Sequence, residues 1–198
     1  MINVGVAAHS EPTEGLAEKA RRFVSALPAD EVRLFLGGYW GAMAYVADAA
    51  RERGIEVVFV LPQNPPAMPP RGRGLVLVDT GMDFKGRSVI LVRSSDVVAA
   101  LGGESGTMLE VLMAYSMGIP AVVLRSGLPS DTLERLGLGG GRVDYRNGPP
   151  ISFVDTPEDL ARRSLEVARS GRKVQAGTSG RWLRHTHRGR GRERGVLH

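Results

Sequence analysis

Two stretches of this 198-residue chain place glycines where a backbone can take hold of an anion. LFLGGYWGAM (34–43) carries Gly37, Gly38 and Gly41; VVAALGGESGTMLE (97–110) carries Gly102, Gly103 and Gly106, with the hydroxyls of Ser105 and Thr107 beside them. Glycine lets the backbone approach a ligand with no Cβ in the way. The first turn of a helix adds unpaired N–H groups at the positive end of its dipole, and the two together make a phosphate cradle. The second stretch supports another reading on the same residues. Thr107-Met108-Leu109-Glu110 has the spacing of a capping box, in which Thr107 caps the helix and Glu110 bonds back to a backbone N–H. Neither stretch has the Gly-Lys-Ser/Thr ending of a Walker loop, and neither follows the dinucleotide G-x-G-x-x-G pattern.

Other residues offer chemistry with a structural alternative beside it. His9 and Ser10 follow the first apolar run and can line a cleft there. Tyr39 and Trp40 sit inside the first glycine turn, where an aromatic face can stack on a base or pterin ring or simply pack against a helix. Arg87, on an amphipathic helical stretch, reads by itself as a solvated surface arginine. Asp96, after Ser94-Ser95, is placed to satisfy backbone donors at a strand start. His185 and His187 have no carboxylate partner in their segment, so no metal site is assigned.

The elements that must position these residues alternate between short apolar runs and amphipathic stretches, the pattern of βαβ units with a buried parallel sheet. Strands are predicted at Ile2 to Ala8, Arg33 to Leu36, Ile55 to Leu61, Leu75 to Val78, Val97 to Leu101, Ala121 to Leu124 and Ile151 to Val154. Helical stripes fall at Leu16, Ala20, Phe23 and Val24 and at Met43, Val46, Ala47 and Ala50; Thr107 to Met117 and Pro157 to Ala168 show the same period. The expected architecture is a single α/β domain of Rossmann type over residues 1–169, with about seven parallel strands and helices on both faces. Gln63 to Gly74, with four prolines, reads as a surface loop, either a lid or a plain connector, and Gly137 to Pro150 as a flexible loop. No internal repeat of fixed period is present.

With no cysteine, the chain has no disulfide, thiolate metal site or cysteine nucleophile. It shows neither a signal-peptide pattern nor an apolar run of membrane-spanning length, so a cytoplasmic location is expected, with no membrane contact. The net charge of +5 is concentrated at the end: residues 170–198 hold eight Arg or Lys against one acid, a net +7, which leaves −2 for residues 1–169. This basic tail, with its Gly-Arg steps, reads as a flexible solvated extension; nucleic-acid contact through phosphates is the weaker alternative.

The segment GGESGTMLE (102–110) is similar to the P-G-G-x-G-T-x-x-E signature of the Lonely Guy (LOG) superfamily, whose members have carried the label lysine decarboxylase. LGGYWGAM resembles that superfamily's first glycine turn and VVFVLP its third strand. Gly86-Arg87, with Asp96 nine residues beyond the arginine, resembles the helix–strand segment ahead of the signature. The resemblance runs from Ile2 to about Ala168 and is nearest the Rossmann-like branch that includes molybdenum cofactor carrier proteins. Leu101 stands where the signature has proline, Glu104 puts a carboxylate beside the cradle, and Arg87-Ser88 replaces an Arg-Lys pair.

The resemblance implies hydrolysis of the N-glycosidic bond of nucleoside 5′-monophosphates with no cofactor required. It implies that Gly102, Gly103, Ser105, Gly106 and Thr107 hold phosphate and ribose and that Arg87 and Glu110 are the catalytic pair; Gly37, Gly38 and Gly41 of the first glycine turn are expected to bind the ligand as well. A carboxylate can relieve oxocarbenium charge or orient water, and a guanidinium grips an anion in two-pronged fashion. The carrier branch implies the alternative, non-catalytic binding of molybdenum cofactor or a related phosphorylated pterin. Relatives associate through helices flanking the sheet, which implies a homodimer. A lysine decarboxylase is rejected: Lys19, Lys85 and Lys173 are the chain's three lysines, and none sits in a pyridoxal-phosphate context.

Overall fold

Runs of Val, Ile, Leu and Ala too apolar for a half-exposed strand form a sheet covered on both sides. A computed structural model describes residues 1–11, 15–145 and 148–182. Seven strands lie in one sheet: β1 (Ile2–Ala8), β2 (Val32–Leu36), β3 (Glu56–Leu61), β4 (Leu75–Asp79), β5 (Val97–Gly102), β6 (Ala121–Leu124) and β7 (Ser152–Val154). Their order is β4-β3-β2-β1-β5-β6-β7, and every pairing is parallel. The expected Rossmann-type architecture holds, with strand limits within a residue of those predicted.

Five α-helices join the strands: α1 (Leu16–Ser25), α2 (Ala42–Glu52), α3 (Phe84–Arg93), α4 (Ser105–Ser116) and α5 (Pro157–Trp182). The chain builds outward from β1 to β4, then crosses back to lay β5 against the other side of β1. The ends of β1 and β5 therefore diverge into helices on opposite faces, which opens a crevice at the carboxyl edge. One core lies under α1, α2 and α5, with Phe23, Leu34, Val46 and Leu160 fully buried; the other lies under α3 and α4, with Leu91, Val98 and Val111.

Three features differ from expectation. The last helix does not stop at Ala168 but reaches Trp182, because no proline interrupts it and Arg, Lys, Gln and Ala tolerate helix well. A 3₁₀ segment, Pro129–Arg135, follows β6 where no element is predicted. Within the glycine-rich loop, Leu138 N–H donates to Arg142 O (2.8 Å), closing a tight turn. His185, His187 and the later Gly-Arg steps (189–192) lie outside the described residues. Among those described, no helix is long and apolar enough to cross a membrane.

Candidate functional site

The three central strands end side by side. β1 runs into His9, β2 into Gly37-Gly38, and β5 into Gly102-Gly103, with Ala8 in register with Gly102. The start of α2 is tied to β1 by the Ala42 N–H, which donates to His9 O at 3.0 Å. Gly41 makes this junction possible: its φ of +54° suits glycine, and a Cβ there would lie 2.4 Å from Ser10 O.

α3 brings Arg87 beneath the end of β2. A Cβ on Gly37 would lie 2.0 Å from Arg87 Nη1, so the absence of a side chain at Gly37 is what admits the guanidinium. From α4, Glu110 meets it: Arg87 Nη1 donates to Glu110 Oε1 at 2.9 Å. The Ser88 hydroxyl lies 2.7 Å from the same carboxylate oxygen and 3.0 Å from Phe84 O. Arg87 and Glu110 are only 6% and 7% exposed, which corrects the reading of Arg87 as a solvated surface arginine. Arg87 lies on the inward side of α3, where Glu110 from α4 provides its partner.

Burial pushes the Glu110 carboxyl above the usual carboxylate range, against the opposing pull of Arg87 and Ser88. Burial likewise lowers Arg87, against the pull of Glu110. Arg87 Nε is buried and lacks a hydrogen-bond partner among the described residues.

The start of α4 is arranged differently from a capping box. Its N-cap is the exposed Glu104, no side chain caps it, and Thr107 lies one turn inside with Glu110 committed to Arg87. The capping-box alternative is therefore overturned: Glu110's oxygen is drawn across to a cation rather than back along its own helix. Gly103 N–H is already taken by Ser130 Oγ at 3.1 Å, while Ser130 N–H donates to Gly103 O at 2.9 Å. The Ser105, Gly106 and Thr107 amides have no helical carbonyl to receive them. Gly106 is exposed, with nothing within 4 Å of an added Cβ.

Tyr39 is a packing residue: its hydroxyl donates to Asp48 Oδ1 (2.9 Å) and its ring meets Phe59 edge-on. Trp40 covers Gly38 and meets Phe84 edge-to-face, centroids 6.0 Å apart. Asp96 does what its position suggests, accepting from Asn3 N–H at 2.7 Å. The sequence reading missed Ser88, Ser130 and Phe84. Ser88 and Phe84 are legible from helical spacing once α3 is placed around Arg87; Ser130 reaches Gly103 from the 3₁₀ segment and leaves no local signal. A cavity of about 700 Å³ lined by Asp96, Pro120 and Arg163 lies at the opposite edge of the sheet, away from Arg87, Glu110 and the glycine turns.

The profile of the SLOG cluster4 family matches residues 1–148. The crystal structure of TM1055 superposes with a TM-score of 0.70 at 32% identity, covering 82% of this chain and 98% of that one. The molybdenum cofactor binding protein from the phototrophic bacterium Rippkaea orientalis gives 0.68 at 22% identity, over 84% and 96% of the two chains. The molybdenum cofactor carrier protein from Chlamydomonas reinhardtii gives 0.66 at 22%, over 85% and 98%.

Two outcomes follow from the buried pair. Arg87→Ala leaves a buried carboxylate without its cation and is expected to cost about 3–5 kcal/mol in chemical denaturation, whereas Arg87→Met combined with Glu110→Leu is expected to be near neutral. A double variant as unstable as the single one contradicts this. The second outcome concerns pH. Because Glu110 holds its proton more tightly folded than unfolded, its contribution to stability is full below the ordinary value of 4.5 and is lost as pH rises through the folded value. The stability of the wild type relative to Glu110→Gln should therefore decline as pH rises above 4.5; a constant or rising difference refutes it.

Proposed function

The chain belongs to the SLOG cluster4 family, and on that premise we propose that its carboxyl-edge crevice binds a phosphorylated, nucleotide-like small molecule and hydrolyses the N-glycosidic bond of a nucleoside 5′-monophosphate. The observation that carries this reading is the Arg87–Glu110–Ser88 cluster, buried where ligands enter open parallel sheets and not explained by stability, since buried ion pairs rarely beat apolar replacements.

The phosphate is placed against the Ser105–Thr107 amides, which point along the positive end of α4. The ring faces Trp40 and Phe84, whose edge-to-face arrangement leaves Phe84 47% exposed at the mouth of the crevice. In the reaction the C1′–N bond breaks with its electron pair leaving on the base, which takes up a proton. Water bonds to C1′ and yields a proton to Glu110, which passes it to the departing base and is restored as the carboxylate; the products are the free base and ribose 5-phosphate. Burial raises the Glu110 carboxyl, which suits it to taking up and returning that proton. Arg87 holds Glu110 in place and offers its remaining donors to the sugar or phosphate.

A second reading, carriage of molybdenum cofactor or a related phosphorylated pterin without chemistry, is favoured by the likeness to the two molybdenum cofactor proteins. The same amides and aromatic pair fit a pterin phosphate. We also propose a homodimer through α3 and α4, which leave Val89, Ile90 and Leu109 exposed on neighbouring helices.

Incubated with a panel of nucleoside 5′-monophosphates, the protein is expected to release ribose 5-phosphate. Glu110→Gln should abolish release while preserving the quenching of Trp40 fluorescence in a Trp182→Phe background. Activity surviving Glu110→Gln removes the catalytic assignment; a co-purified pterin with no hydrolysis of any nucleotide selects the carrier. By native mass spectrometry the wild type should be a dimer and Ile90→Glu a monomer, and an Ile90→Glu dimer would move the interface elsewhere.

A further inference from the structure

His9 stands at the middle of the crevice. It follows β1, the central strand, and its backbone is held between both glycine turns: His9 O accepts from Ala42 N–H at 3.0 Å, and His9 N lies 3.3 Å from the place a Cβ on Gly103 would occupy. Along β1 the side chains alternate between the two cores. Val6 faces α1 and α2, Ala7 faces α3 and α4, and Ala8 returns to the first side. His9 follows where β1 ends, beside Gly103, against which Thr107 of α4 also packs.

The residue is only 6% exposed, and its imidazole makes no hydrogen bond among the described residues. Neither imidazole nitrogen of His9 is among the fully enclosed side-chain atoms that lack a hydrogen bond in the described residues. The ring's small remaining exposure therefore includes its nitrogens. Buried polar groups normally have partners, and one left open at the bottom of a crevice is poised for a group that enters from outside. Both flanking helices, α2 and α4, begin without a side-chain cap, and their positive ends favour an anion there.

We propose that His9 is a phosphate-recognition residue, donating an imidazole N–H to the phosphate monoester gripped by the start of α4. This rests on the nucleotide-like ligand proposed above but not on its hydrolysis. His9 then separates phosphorylated ligands from their unphosphorylated counterparts, a task the sequence alone left to the glycine turns.

Isothermal titration of the full chain, its His9→Ala variant and its His9→Asn variant with AMP, adenosine and inorganic phosphate tests this. His9→Ala should weaken AMP about tenfold or more and leave adenosine within about twofold, with His9→Asn recovering part of the loss through its amide donor. Unchanged AMP affinity, or equal losses for AMP and adenosine, overturns the assignment. Should the wild type bind inorganic phosphate but not AMP, the nucleotide reading falls and the same comparison on phosphate decides His9. Binding of neither probe by the wild type overturns both.

Discussion

Withdrawing one guanidinium–carboxylate pair from water is the constraint around which the carboxyl edge is organised. Each charge costs several kcal/mol to bury, and mutual attraction returns this only when the geometry is good and the remaining donors and acceptors are met. The chain meets the condition in part. Gly37 gives the guanidinium room and Ser88 adds a second donor to Glu110 Oε1, yet Arg87 Nε has no hydrogen-bond partner among the described residues. A site fully optimised for stability would not leave that nitrogen open, so the incomplete satisfaction is itself a functional signal.

The sheet order decides what that pair can meet. With β5 laid on the far side of β1, α2 and α4 start on opposite faces but within reach of the same crevice. The backbone donors there are divided between tasks. The Gly103 amide is consumed in a reciprocal exchange with Ser130, which pins the turn to the 3₁₀ segment; the Ser105, Gly106 and Thr107 amides at the start of α4 receive no helical carbonyl.

The strands were legible because a parallel sheet buried on both faces needs uninterrupted Val, Ile, Leu and Ala runs, which stand out from the rest of the chain. The two glycine turns were legible for the same reason in reverse, as breaks directly after such runs. Arg87's environment was not, because α3 buries Arg87 and Ser88 on the same side as Leu91 and Val92 while it exposes Val89 and Ile90, so polar and apolar residues do not separate by face. Glu110 misled in the opposite way, since its spacing from Thr107 fits a local cap while its actual partner lies on another helix. Ser130 was out of reach of any local pattern, its contact with Gly103 spanning 27 positions.

Departures from the superfamily signature now have physical roles. Leu101, in place of proline, is 1% exposed and anchors the turn by packing into the core, while Gly102 takes the bend at a φ of +107°. Ser88 supplies a neutral donor where the signature has a cation, and Glu104 stands exposed to solvent. Because Arg87 is matched by Glu110, the buried cluster brings no net positive charge to the crevice, and residues 1–169 sum to −2. Attraction for an anion must then come from oriented dipoles and N–H groups at the helix starts rather than from net charge. Such a site discriminates by donor geometry at short range and gains little from long-range steering. That favours a small phosphate ester seated in the crevice over an extended polyanion lying across the surface.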